Sequence, residues 1–94
     1  MRAPSYAVYW NEGAGPRYAG RVEMRSTCAE LSGGAGYGRR SLQRIFFDEI
    51  AAVAFANGRL LIGRRGGSQL EIGSVDGPGA LRELAERLVA ATAG

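Results

Sequence analysis

Histidine and lysine are both absent from this chain, and cysteine occurs once. Without histidine and with a single thiol, the usual Cys/His set for zinc cannot be assembled. One cysteine cannot close an internal disulfide either. Cys28 lies in an alternating run, Thr27-Cys28-Ala29-Glu30-Leu31, and is expected to be a small buried or edge hydrophobe rather than a reactive thiol. Long apolar runs are also missing. The longest, Ile50 to Ala56, is far short of the ~20 residues a membrane span needs. No apolar segment follows Met1-Arg2-Ala3-Pro4 in the manner of a signal peptide, so a soluble, cytoplasmic protein is expected. The missing histidine removes the commonest general base, and no serine stands in a nucleophile-elbow context. We therefore expect a non-enzymatic protein with no catalytic residue, no cofactor and no metal site.

What is present is one small domain, residues 1–94. Hydrophobic residues make up 46 %, which excludes global disorder. A chain of this length buries roughly 60–65 % of the surface it exposes unfolded, enough for a single core. All twelve basic residues are arginine, against nine acids, for a net charge of +3. With the excess of alanine and glycine, the missing lysine points to a GC-rich genome rather than to phosphate recognition. The charge permits an anionic partner without demanding one.

The stretch from Ile45 to Ser74 organises the rest. Asn57-Gly58 between alternating apolar runs predicts a two-residue type I′ hairpin, because that turn needs positive φ at both central residues. Counting outward pairs Phe55 with Leu60 and Val53 with Ile62 on a bulky face. Ala54 then meets Leu61, and Ala52 meets Gly63, on a flat one. The bulky face is the core face. At the next turn, a two-residue loop would set Glu71 opposite Ile62 on that face. A three-residue loop, Arg65-Gly66-Gly67 with Gly67 left-handed, instead pairs Ile62 with Leu70 and Leu60 with Ile72.

Ahead of this meander, Tyr6 to Trp10 reads as a first strand and Arg17 to Arg25 as a second with one wet face. Thr27 to Ser32 reads as a third strand and Leu42 to Phe47 as a fourth. Between those two, Gly33 to Gly38 is glycine-rich but lacks the Lys-Ser/Thr and the following helix of a phosphate-binding loop. It is expected to be a long hairpin connection. Asp48-Glu49 is an adjacent acid pair. Neighbouring strand residues point to opposite faces, so the pair suits a corner held by Asp48 better than acid–base chemistry. After Ser74 the period lengthens to about 3.6, and a helix is expected over about 78–92. Asp76 is its candidate cap, Pro78 lies near its first position, and Leu81, Leu84, Ala85, Leu88 and Val89 form its apolar stripe. The expected core joins Val22, Met24, Leu31, Ile45, Phe47, Ile50, Val53, Phe55, Leu60, Ile62, Leu70 and Ile72 to Leu81, Leu84 and Leu88.

This order of elements resembles bacterial pleckstrin-homology-like domains. The motif that carries the resemblance is Ile45-Phe46-Phe47-Asp48-Glu49-Ile50-Ala51-Ala52-Val53. It is followed by Leu60-Leu61-Ile62, Leu70-Glu71-Ile72 and the helix. The resemblance runs from about Tyr6 to Ala91. It implies a mainly β (α+β) fold, a barrel or roll of about seven antiparallel strands capped by one C-terminal amphipathic helix. Eukaryotic members that bind phosphoinositides carry a basic cluster on the loop between the first two strands. Here Asn11 to Pro16 holds one acid and no base until Arg17, with Arg21 the other nearby arginine. The resemblance therefore implies a small assembly or peptide-binding module, the role more often implied for bacterial members, rather than an inositol-phosphate receptor.

Two functions follow as expectations. The first is a module that self-associates as a homo-oligomer or binds another protein through the flat face, Ala52, Ala54, Ala56, Leu61 and Gly63, which has no charge to keep it wet. A second chain, the terminal helix or a neighbouring strand is expected to cover that face. The second is binding of an anionic ligand, a phospholipid headgroup or nucleic acid, by Arg39, Arg40, Arg44, Arg64 and Arg65. It requires the glycine loop and the Arg65-Gly66-Gly67 loop to lie at one end, with Tyr37 as a stacking surface.

Overall fold

The computed structural model describes residues 4–36 and 38–93. Seven antiparallel strands form one sheet that curls into a half-barrel, followed by a single C-terminal helix. The strands are β1 (Ser5–Glu12), β2 (Tyr18–Met24), β3 (Cys28–Gly34), β4 (Arg40–Phe46), β5 (Ile50–Ala56), β6 (Arg59–Arg64) and β7 (Leu70–Ser74). Their spatial order is β4-β3-β2-β1-β7-β6-β5. Two meanders therefore meet where β1 pairs with β7, and β4 and β5 are left as the free edges. A 3₁₀ turn, Phe47–Glu49, links those edges. The helix α1 spans Pro78–Ala93.

The expected register of the second meander is present pair for pair. Val53 faces Ile62, Phe55 faces Leu60, Ala54 faces Leu61 and Ala52 faces Gly63. Asn57 and Gly58 both have positive φ, 54° and 72°, as a type I′ turn requires. The three-residue connection also holds, with Ile62 opposite Leu70 and Leu60 opposite Ile72. Its left-handed residue is Gly66 (φ 70°) rather than Gly67. The middle residue takes the strained position, and the Gly67 N–H turns back toward the Arg64 carbonyl.

The core lies inside the curl, and β1 runs through its middle. Tyr6, Val8 and Trp10 are buried there, although the alternation had marked this stretch only as a strand. Trp10 is 1 % exposed and stacks on Tyr18, with ring centroids 5.5 Å apart. Cys28 and Ala29 are buried as well. Three expected core residues are not enclosed. Phe55 is 43 % exposed, and Val53 and Phe47 are only partly buried. Val53 and Phe55 sit on an edge strand of an unclosed barrel, with no further strand beyond them and only the helix across a groove, and Phe47 lies in the 3₁₀ turn between the two edges. The β2–β3 pair approaches closely at Gly20 and Gly33. A Cβ on either residue would run into the backbone of the other strand, at the Ser32 carbonyl or the Ala19 carbonyl. Only glycine fits at these two positions.

The turn and helix ends depart from expectation in detail. Glu49, not Asp48, holds the corner: its carboxylate accepts the Phe46 N–H at 3.1 Å, while Asp48 is exposed. Asp76 is not the helix cap. Its N–H donates to Ser74 Oγ, and Gly77 is the residue immediately before Pro78. Leu81, Leu84 and Leu88 are buried against the sheet and Ala85 is partly so, but Val89 is 50 % exposed. Tyr6 ties the helix to β1 by donating its hydroxyl to Glu83 at 3.2 Å. Burial, reinforced by that carboxylate, pushes the phenol above its ordinary pKa. Among the described residues, no helix is long and apolar enough to cross a membrane.

Ile62 is fully enclosed, so Ile62→Ala should lower stability by about 2–5 kcal/mol in urea unfolding, as large-to-small core changes do. A loss below about 1 kcal/mol would contradict the register of the β5–β6 hairpin.

Candidate functional site

An edge strand exposes a row of unpaired N–H and C=O groups, and stable proteins usually guard it with charge or proline. β4 follows that rule, carrying Arg40, Gln43 and Arg44. β5 does not. Its sequence, IAAVAFA, has no polar side chain on either face. A register shift between Ile50 and Ala52 is its only irregularity in the pairing with β6.

Both sides of β5 are apolar and open. On the outer face Ala52, Ala54 and Ala56 are exposed, with Leu61 and Gly63 of β6 half-buried beside them. The helix does not cover this row, because its buried leucines pack into the core on the inner face. On the inner side a groove of about 500 Å³ opens between Phe55 and Val89, floored by Leu60 and Ala85. Arg82 and Glu86 stand at its rim. Phe55 is an expected core residue and Val89 an expected member of the helix's apolar stripe, and the groove exists because neither is enclosed. The signal that locates it is the strand order, which makes β5 an edge, and no local pattern carries that.

The five arginines marked as an anion cluster are not gathered. Arg44 donates to Glu30 at 3.0 Å. Arg64 is largely buried, bonded to the Glu12 carboxylate and to the Ser68 carbonyl. Arg65 is exposed beside the 3₁₀ turn, where its N–H donates to the Glu49 carbonyl at 2.8 Å. That turn follows the end of β4, and Phe47 N–H bonds the Thr27 carbonyl there. Arg39 and Arg40 are exposed at the other end of β4, about 20 Å away at ~3.3 Å per strand residue. The glycine loop and the Arg65 loop thus sit at opposite ends of that strand. Tyr37, the stacking residue considered with this cluster, lies outside the described residues.

The outer face carries a second organised patch. The Tyr9 ring lies over Gly73, where a Cβ would collide with it. The Arg17 and Arg59 guanidiniums stand 4.9 and 5.2 Å from the Tyr9 ring centroid. Arg59 is also paired with Glu71, and the exposed Arg17 rests on the ring alone.

No family model matches the chain, and no curated protein sequence matches it. In three dimensions it is similar to the crystal structure of the C-terminal domain of an unknown protein from Leishmania infantum, with a TM-score of 0.69. The likeness covers 95 % of this chain and 84 % of that one, at 11 % sequence identity. At such low identity it speaks for the fold alone: the half-barrel with its C-terminal helix is an arrangement that an experimentally determined domain also adopts.

Proposed function

We propose that this chain is a non-enzymatic interaction module, a pleckstrin-homology-like domain of the bacterial kind, that associates with a second copy of itself along β5. The observation that carries the proposal is a seven-residue edge strand without a polar side chain, open on both faces and lying beside an apolar groove. Such an edge is a template for strand pairing.

A second copy suits it because β5 is complementary to itself. Antiparallel pairing centred on Ala54 sets Ala54 against its equivalent and Ala52 against Ala56 of the other copy, so the outer seam holds only methyl groups. On the inner face the same register sets Val53 opposite the other copy's Phe55, which then enters the groove beside Val89. The rim bears one cation and one anion, Arg82 and Glu86, so a two-fold axis brings no surplus of like charge to the seam. The interface is isologous and closes as a dimer. The order of seven strands and one helix, with the likeness in fold to a solved domain, supports the family reading.

Light scattering should return twice the 9.9 kDa chain mass at micromolar concentration, falling toward one chain on dilution. A mass of one chain at high concentration would overturn the proposal, and an extended segment of another protein would then be the occupant to test.

A further inference from the structure

On the outer face of β1 to β4, away from β5, lies a shallow depression of about 490 Å³ that reaches Ala7 on β1. Its floor is made of residues with almost no side chain: Ala19 and Gly20 on β2, and Ser32, Gly33 and Gly34 on β3. Two charged side chains line it, Arg21 and Arg40. Both are exposed, and neither makes an ion pair among the described residues. We propose that Arg21 and Arg40 form a binding site for the phosphate group of a small soluble phosphomonoester.

Register puts the two arginines within reach of one ligand. Arg21 pairs with Ser32, and Arg40 pairs with Gly34, so they flank β3 one same-face row apart. Their strands are two spacings apart, about 10 Å. On β3 nothing larger than the Ser32 hydroxymethyl stands between them, so two long guanidinium side chains can reach one ligand over that strand. Guanidinium forks match phosphate oxygens two at a time, and the Ser32 hydroxyl adds a donor on the floor.

Charge along the same strands is segregated. Glu23 and Glu30 face each other in the other half of the β2–β3 ladder. Arg25 bridges both, at 3.3 and 3.1 Å, and Arg44 holds Glu30 at 3.0 Å. The carboxylates that share this face are therefore committed to other arginines, and the depression is left with cations alone. Glycine at 20 and 33 follows from the close approach of the strands, but the uncompensated pair of arginines does not follow from the fold. Two cations at one depression suit a single phosphate rather than a polyanion, which needs a track of them.

The test is a two-dimensional NMR titration of the full chain with inorganic phosphate and, separately, with ribose 5-phosphate. Saturable amide shifts should concentrate at residues 19–21, 32–34 and 40. Arg21→Gln and Arg40→Gln should each weaken binding roughly tenfold, while Arg65→Gln leaves it unchanged; all three residues are exposed. Tighter binding of ribose 5-phosphate than of phosphate indicates an organic phosphate, and equal binding would overturn that part of the proposal. Absence of saturation at 20 mM, or equal weakening by Arg65→Gln, would overturn the site. So would a short single-stranded oligonucleotide that binds the same residues far more tightly and with steep salt dependence, since the ligand would then be a polymer.

Discussion

Trp10→Ala is expected to lower stability by about 3–5 kcal/mol, the range found for removing a large aromatic from a core. Trp10 is the largest fully buried side chain, and it sits on β1, the strand where the two meanders join. It faces Tyr18 on β2 and Ile72 on β7, so one indole spans the seam between them. A domain of this size is held by only about 5–15 kcal/mol, and each kcal/mol corresponds to roughly 4–8 °C in Tm at this length. The variant should melt tens of degrees lower, or populate the unfolded state at 37 °C. Trp10→Phe, which keeps the ring contact with Tyr18, should recover most of the loss. A drop below about 1 kcal/mol for the alanine variant would mean that the seam is held elsewhere, with Val8 and Leu70 the next residues to truncate.

What the sequence made legible was local. Asn57-Gly58 set one hairpin, and the position of Glu71 decided the length of the next connection, so the register of β5, β6 and β7 followed from turn chemistry and one misplaced carboxylate. The change of period after Ser74 likewise marked the helix. The burial of Tyr6, Val8 and Trp10 and the exposure of Phe55 depend on which strands are neighbours across the whole chain. Alternation assigns a side chain to a face, but it does not say whether a further strand or a helix lies beyond that face. The same limit explains the arginines. Arg39 and Arg65 both flank glycine turns and look equivalent in sequence, yet the curl of the sheet sends one turn to each end of β4. The depression over β3 was invisible for a related reason: Arg21 and Arg40 are 19 positions apart and meet only through the strand between them.

Ala54→Glu is expected to abolish the proposed dimer and leave a folded monomer. The side chain at 54 is exposed on the outer face of β5, so a glutamate there remains in water while the chain is alone. In the dimer, Ala54 lies on the two-fold axis and meets its own equivalent. Two carboxylates then oppose each other at the centre of an apolar seam, and such like-charge contacts cost several kcal/mol. At 1.4 kcal/mol per factor of ten, the dissociation constant should rise 100-fold or more. Unfolding in urea, measured where the parent is also monomeric, should shift by less than about 0.5 kcal/mol, as surface changes do. Ser41→Glu on β4, the other free edge, should leave the mass unchanged. The sharper experiment uses the symmetry. Ala54→Lys should also be monomeric, and an equimolar mixture of the glutamate and lysine variants should recover a dimer of mixed composition, because only the mixed pair sets opposite charges on the axis. A mixture that stays monomeric would move the axis away from Ala54. A glutamate variant that scatters like the parent would remove β5 from the interface altogether.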